Sequence, residues 1–261
     1  MTLFLHELKR NRISLIVWTA AISFMLGVCI IIYPDMSAQM GDISDMFSNM
    51  GAFSDAFGMD QLNFGEFMGY FGVECGNTLG LGGAFFAALL GISALSKEER
   101  DKTAEFLLSH PVTRRRVVLF KLLSILTQIL ILNMTVALVT IIGVLAIGAE
   151  ADAGKMAWLL LSSAIMQIEI SAITFGISAF IRRGGLAIGM GLAMGLYFLN
   201  IVSNLTDKLD FLKYISPFGY TDGGQIVANG LPEIKYLLPG VALTLAGAAA
   251  AFWKYERKDI A

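Results

Sequence analysis

This chain has few charged residues for its length. Asp, Glu, Lys and Arg make up only 15% of its 261 residues, whereas an average soluble domain has about 25%. Hydrophobic side chains make up 56%, so we predict a membrane protein. The net charge of -2 provides no basic surface for nucleic acid, and we expect no such partner. Because Cys29 and Cys75 are the only cysteines, we expect buried free thiols rather than a disulfide.

Motifs for catalysis are also lacking. No phosphate-binding loop of the G-x-x-x-x-G-K-S/T type occurs, so we expect that this chain does not hydrolyse nucleotide. The two histidines, His6 and His110, have no metal-ligand spacing, and no G-x-S-x-G elbow occurs. We therefore predict no catalytic residue, no metal site and no cofactor bound by this chain, which by itself is not an enzyme.

Six apolar runs are long enough to cross a bilayer as helices, because about 20 helical residues span its hydrocarbon core. We place them at 13–33, 70–95, 117–148, 157–181, 184–205 and 236–253. The predicted fold is an all-α membrane protein with one transmembrane domain over residues 1–261. Two other segments, 36–66 and 207–233, are too polar to span, and we predict that they form short amphipathic helices at the outer leaflet.

Basic residues predict the orientation of these helices. The predicted outer segments contain only Lys155, Lys208, Lys213 and Lys235, which leaves 15 of the 19 basic residues for the other side. By the positive-inside rule, both termini are cytoplasmic. We therefore expect a multi-pass protein of the plasma membrane of a bacterium, surrounded by lipid.

Glu169 lies at the centre of the fourth apolar run and is the only ionisable residue near a predicted midplane. An acid there costs at least ~2.5 kcal/mol on insertion, so it should be protonated, hydrogen-bonded within the bundle, or facing water. Two interpretations stay open. Either Glu169 makes a structural hydrogen bond to Asn133, Asn200 or Asn204, or these four residues lie on the path of a substrate or proton.

Small residues recur at helical spacing in the second and fifth apolar runs. The fifth contains Gly185, Gly189, Gly191 and Gly195. Such spacing allows membrane helices to pack closely, which is the default interpretation. A subunit interface is the alternative.

A densely charged stretch, residues 97–113, separates the second and third runs. Acidic residues open it, Phe106, Leu107 and Leu108 form an apolar stripe, and Pro111 ends the predicted helix. One interpretation is a solvated loop whose charges only set the topology. The other is an amphipathic helix that docks on another protein.

The stretch and the layout around it resemble the permease subunits of ABC-2 type transporters, the exporter branch of the ATP-binding-cassette systems. The resemblance rests on Glu98-Glu99, then Lys102-Thr103-Ala104-Glu105-Phe106-Leu107-Leu108-Ser109-His110-Pro111-Val112-Thr113-Arg114, then Lys121. This is similar to the family's glutamate pair, its G-T-x-E-x-L-L-S-x-P-V-S-R motif and a lysine that opens the next helix. Lys102 replaces the usual glycine, and Thr113 replaces serine. The turn Ser216-Pro217-Phe218 and the closing Lys258-Asp259-Ile260 are also similar to the family.

The resemblance implies that residues 97–113 form a coupling helix seated in a cleft of a separate ATP-binding-cassette ATPase, which would bind ATP and Mg. The implied contact residues are Glu98, Glu99, Arg100, Thr103, Glu105, Phe106 and Leu107. The resemblance also implies a second permease, identical or related, with the first and fifth helices at the dimer interface; this would suit the glycines of the fifth.

The implied function is ATP-driven export by alternating access. The lack of a large soluble outer domain and the oily lining favour an amphipathic or hydrophobic substrate, such as an antimicrobial peptide, a drug or a lipid. The alternative from another class is an ion-coupled secondary transporter or a channel that uses Glu169.

Overall fold

The computed structural model describes residues 2–37, 66–97, 113–181 and 185–257. The helices in this part are α1 (Thr2–Ser37), α2 (Phe67–Ala94), α3 (Arg114–Ile147), α4 (Ala153–Ser178), α5 (Gly185–Asn204), α6 (Gly223–Asn229) and α7 (Ile234–Arg257). A 3-10 helix, Asp207–Tyr214, lies between α5 and α6. Six of the helices, all except the short α6 and the 3-10 helix, are long and apolar enough to cross a membrane. This confirms the predicted all-α fold with six spans.

α4 is the central helix of the bundle. It packs along its length against α2 and α7 and also contacts α3 and α6. Its buried polar residues are Ser162, Ser163, Gln167, Glu169, Ser171, Thr174 and Ser178. The hydroxyls of this set donate to carbonyls three or four residues earlier in α4; Thr174, for example, donates to the oxygen of Ile170 at 2.8 Å. These hydroxyls are therefore satisfied without a partner on another helix.

Glycines of the neighbouring helices lie opposite the large polar side chains of α4. A Cβ on Gly83 of α2 would collide with Gln167, and a Cβ on Gly240 of α7 would collide with Glu169. A Cβ on Gly247 of α7 would meet the α4 backbone at Ala172. Glycine therefore allows two helices to approach α4 closely enough to cover its polar residues.

α1 packs mainly on α3, and an ion pair joins the two helices near their first residues. Lys121 Nζ lies 3.0 Å from Glu7 Oε1, and both side chains are buried. Glu7 Oε2 also accepts a hydrogen bond from Arg10 at 2.8 Å. This polar region precedes the apolar run predicted at 13–33. The run therefore did not predict that α1 begins at Thr2.

We call the end of the bundle that holds the first turns of α1 and the last turn of α7 the terminal end. Arg114, the first residue of α3, donates there to the backbone oxygen of Glu256 in the last turn of α7 at 3.1 Å. Arg115 pairs with the Glu256 carboxylate. Since the last carbonyls of a helix have no partner within it and carry partial negative charge, Arg114 stabilises this end of α7. The first turns of α3 are thus joined to both α1 and α7.

Residues 205–233, here called the re-entrant segment, connect α5 to α7 at the opposite end and fold back into the bundle. Tyr220 of this segment is 1% exposed and hydrogen-bonds to Glu169, which lies roughly 24 Å along α4 at about 1.5 Å per residue. A Cβ on Gly223 would collide with the backbone of Gly72 in α2. The segment predicted as amphipathic over 207–233 therefore packs between the spans.

The start of α7 is fixed to this segment by Asp210. The Asp210 carboxylate accepts a hydrogen bond from Tyr236 at 2.8 Å and lies 2.9 Å from Lys213 Nζ. Partial burial acts to raise the pKa of Asp210, but the hydrogen bonds from Lys213 and Tyr236 outweigh it. The pKa of Asp210 therefore lies below its ordinary value.

Candidate functional site

Glu169 is buried inside the bundle, with 2% of its surface exposed. Its Oε2 accepts a hydrogen bond from Tyr220 at 2.8 Å, and Gly240 of α7 lies against the same oxygen. Glu169 is thus hydrogen-bonded within the bundle, one of the three states expected from the sequence. Its partner is a tyrosine of the re-entrant segment, whereas the sequence had suggested Asn133, Asn200 or Asn204. Only the folding back of that segment brings Tyr220 to this depth.

Asn133 lies at the interface between α3 and α4. Its Nδ2 donates to Gln167 Oε1 at 2.7 Å and to the oxygen of Ile129 at 2.9 Å. Asn133 Oδ1 and Gln167 Nε2 are buried and have no hydrogen-bond partner within the described part of the chain. A buried polar atom without a partner costs about 1–3 kcal/mol. A rearrangement that gave Asn133 Oδ1 and Gln167 Nε2 hydrogen-bond partners would therefore remove this cost.

A pocket with an empty volume of about 490 Å³ opens between α2, α5 and the re-entrant segment. Its polar lining residues are Asn77, Tyr197, Asn200, Asn204, Thr221 and Asp222. It also has apolar lining from Val73, Ile201 and Phe218. The pocket brings together Asn200 and Asn204, two of the four predicted path residues, and its described lining does not include Glu169 or Asn133.

The α2 wall of this pocket is a π-helical section, Cys75–Leu81. Such sections are rare and occur often at functional sites. Two of its residues, Gly76 and Asn77, line the pocket, and the Tyr197 hydroxyl of α5 donates to Asn77 Oδ1 at 3.5 Å. The glycines of the second apolar run predicted close packing but gave no sign of this change in helix geometry.

Glu74 is a second acid within a span and was missed in the sequence. The predicted run began at residue 70, but α2 begins at Phe67, which places Glu74 roughly 10 Å along the helix. Cys29 of α1 donates to Glu74 Oε2 at 3.4 Å, and the Tyr70 hydroxyl donates to the oxygen of Cys29 at 3.0 Å. Cys29 and Cys75 are both free thiols, as expected from the sequence; Cys75 is also buried as expected, whereas Cys29 is only partly buried.

The residues predicted to contact an ATPase lie outside the described part of the chain, which omits 98–112. They are Glu98, Glu99, Arg100, Thr103, Glu105, Phe106 and Leu107, and their role stays a prediction. Lys121, the lysine of the same motif, is described, and it pairs with Glu7.

The four glycines predicted at a permease-dimer interface lie on two sides of α5. A Cβ on Gly189 would be 2.7 Å from Ile92 Cγ2 in α2, and one on Gly185 would be 3.2 Å from Ile92 Cγ1. These two glycines therefore pack within the chain. Among the described residues, no atom lies within 4 Å of a Cβ on Gly191 or Gly195. The dimer interface stays a prediction, and these two glycines are the ones that a partner can reach.

Six spans, of which the central α4 carries buried polar residues, together with a polar pocket, are typical of a membrane transport protein. The family model described as ABC-2 family transporter protein matches residues 1–260. The chain therefore belongs to the ABC-2 family of transporter proteins, as a multi-pass permease and not as the ATPase. A comparison with curated proteins gave no match.

Proposed function

We propose that this chain is the membrane-spanning subunit of an ATP-driven exporter that moves an amphipathic or hydrophobic molecule by alternating access. The observation that carries the proposal is the family match over residues 1–260. Permeases of this family generally work with an ATPase subunit. That subunit would bind ATP and Mg, and residues 97–113 would dock on it.

The packing at the terminal end supports this role for residues 97–113. α3 begins at Arg114, immediately after that stretch. Its first turns are joined to α1 through Lys121 and Glu7 and to α7 through Arg114 and Arg115. A displacement of residues 97–113 by an ATPase would therefore reach three spans through buried or charged contacts, and rock them relative to α4.

The re-entrant segment supports a transport path at the other end. It supplies part of the pocket wall, including Phe218 and Thr221, and also Tyr220, the partner of Glu169. A change at Glu169 would therefore move the pocket wall. In this proposal Asn133, Asn200 and Asn204 line successive parts of the same path.

The same proposal predicts how the permease assembles and how it is oriented in the membrane. A second permease, identical or related, would complete the transporter by packing against the open face of α5. The terminal end would face the cytoplasm of a bacterium, because Arg10, Arg114, Arg115 and Lys121 all lie there.

The test is purification of the chain from its native cells in mild detergent, followed by mass spectrometry and an ATPase assay. We expect an ATP-binding-cassette subunit in stoichiometric amount, with substrate-stimulated hydrolysis. Replacing Phe106 and Leu107 by Asp should abolish that stimulation while leaving the chain folded. Matched controls are Phe211→Asp and Leu231→Asp, which add the same charges at exposed sites of the re-entrant segment. Unchanged stimulation in the Phe106 and Leu107 variant would contradict the coupling role.

Because Glu169 is buried, we retain one alternative function for the chain, that of an ion-coupled secondary transporter. In that case the chain would purify without an ATPase and would move a solute down an ion gradient in liposomes. Glu169→Gln keeps an oxygen that accepts from Tyr220, so it should assemble normally in both cases. Only in the ion-coupled case would it abolish the dependence of transport on the gradient.

A further inference from the structure

We propose that the pocket between α2, α5 and the re-entrant segment binds the uncharged polar group of an amphipathic molecule, through hydroxyl or amide N–H groups of that molecule. This inference rests on the proposed function, because the pocket would then be part of the transport path. The inference specifies which kind of chemical group the pocket binds.

The charges of the pocket argue against an ionic ligand. None of the described residues that line it is Lys, Arg or His, so an anionic group would be taken from water without a counter-charge, which is costly. Asp222 is the only acid among these residues. Its Oδ1 already accepts a hydrogen bond from the backbone N–H of Gln225 at 3.1 Å, at the start of α6. This carboxylate caps the N-terminus of α6, whose partial positive charge offsets part of its negative charge and so weakens its attraction for a cation.

The hydrogen-bonding groups favour a neutral donor. Asn200 Oδ1 is buried and accepts no hydrogen bond from the described residues. The Asn200 side chain must therefore rotate to present this oxygen to the pocket, and a ligand O–H or N–H that then reaches it would remove the cost of leaving it unpaired. Tyr197, Asn77 and Thr221 add hydroxyl and amide groups to the same lining. The pocket therefore suits a group with several hydrogen-bonding positions and no net charge.

Open space at the α2 wall accommodates a group of this kind. A Cβ on Gly76 would have no described atom within 4 Å, so the α2 wall leaves room for a ligand. The space of about 490 Å³ at the pocket includes its open mouth, so a bound group would extend out of the pocket into its surroundings.

The neighbouring surface of α5 indicates an apolar part in the same molecule. Residues 197, 200, 201 and 204 of α5 line the pocket. The exposed apolar residues Phe198 and Val202 each follow one of these residues, which places them about 100° further around the helix. A ligand with its polar group in the pocket can therefore lay an acyl or other apolar chain along α5, in contact with lipid.

The test is equilibrium binding of octyl amphiphiles, below their micelle concentrations, to the purified chain in phosphatidylcholine nanodiscs. The probes are octyl glucoside, its permethylated analogue, octanoyl glycinamide, octyl phosphate and octyltrimethylammonium. We expect saturable binding of octyl glucoside or octanoyl glycinamide, and the tighter of the two identifies hydroxyl or amide as the preferred group. The permethylated analogue should bind about tenfold more weakly, as expected for the loss of about one hydrogen bond. Octyl phosphate and octyltrimethylammonium should not saturate.

Variants at Asn200 test the site itself. Asn200→Leu should weaken the binding of octyl glucoside about tenfold without changing that of the permethylated analogue. Asn200→Asp keeps an oxygen at this position and should retain binding. Asn229→Leu is the matched control, because Asn229 is exposed, pairs with Gln225 and does not line the pocket.

The inference is overturned if Asn200→Leu binds octyl glucoside as the wild type does, or if octyl phosphate binds equally well. The assay needs no ATPase, so the two proposals can fail separately. Copurification of an ATPase without saturable binding would refute only the pocket assignment. Saturable binding by a chain that has no ATPase partner would refute only the exporter.

Discussion

The ion pair between Glu7 and Lys121 gives a quantitative test of how the terminal end is held together. The two charged groups lie 3.0 Å apart, with side chains that are 5% and 1% exposed. Removing one partner of a buried ion pair costs about 3–5 kcal/mol, because the other charge stays buried. The stability of the bundle should therefore be sensitive to either residue.

The single variants should differ, because Glu7 also accepts from Arg10. Lys121→Met leaves Arg10 beside the Glu7 carboxylate, so we expect a loss of free energy of unfolding near the lower limit, about 3 kcal/mol. Glu7→Gln removes the carboxylate from both cations, so we expect about 4–5 kcal/mol. The double variant replaces the pair by neutral groups of similar size and should cost about 1 kcal/mol.

The free thiols of the chain provide the assay. Cys75 is 1% exposed and should react with a thiol-specific dye only when the bundle opens, whereas Cys29 is partly exposed and is replaced by Ala in every variant. Titration of the purified chain in dodecyl maltoside with sodium dodecyl sulfate then gives relative free energies of unfolding. Lys208→Met is the control, because Lys208 is exposed and should change stability by less than about 0.5 kcal/mol.

Two results would refute this reasoning. If both single variants were as stable as the wild type, apolar packing alone would hold α1 on α3. If the double variant lost as much as the sum of the single variants, Glu7 and Lys121 would contribute independently and not as a pair.

Three further changes test other parts of the structure. Gly240→Ala places a methyl group against Glu169 and should cost about 1–3 kcal/mol of unfolding free energy; in a Glu169→Ala background, which lacks the clashing carboxylate, the same change should cost less in the same titration. The folded-state pKa of Asp210 is below the unfolded value of 3.8. The contribution of the ionised Asp210 to folding stability is therefore present above pH 3.8 and is lost as the pH falls through the folded-state pKa. Asp210→Asn should remove this acid-dependent loss, and an unchanged pH profile would contradict the contact. Gly189→Leu should destabilise the chain, because Ile92 occupies the space, whereas Gly191→Leu should leave the chain stable and weaken the permease dimer on size-exclusion chromatography with light scattering.

The number of spans and the fold class could be predicted from the sequence, because both depend on local composition. A run of about 20 apolar residues is stable as a helix in lipid whatever its neighbours are. The family resemblance could also be recognised from the sequence, because the motif from Glu98 to Lys121 depends only on the order of its residues. The helix ends were less predictable: α1 extends from the predicted start at residue 13 back to Thr2, and Glu7 in this extension pairs with Lys121 across the bundle.

The environment of the polar residues depended on tertiary structure. Glu169 was recognisable as a costly acid, but its partner Tyr220 lies 51 positions further along the chain and reaches it only because the re-entrant segment folds back. Likewise, one spacing pattern on α5 contained glycines with different roles: Gly189 packs on Ile92, and Gly191 faces open space.

The sequence by itself thus determined that this chain has six segments long and apolar enough to cross a membrane, and that Glu169 is too polar to face lipid. The tertiary structure alone decided which polar residues meet. The large polar side chains of α4, Gln167 and Glu169, are buried against glycines of neighbouring helices, and which glycines they meet depends on how the helices cross. The pocket at Asn200 is a result of this kind, because α2, α5 and the re-entrant segment form it together.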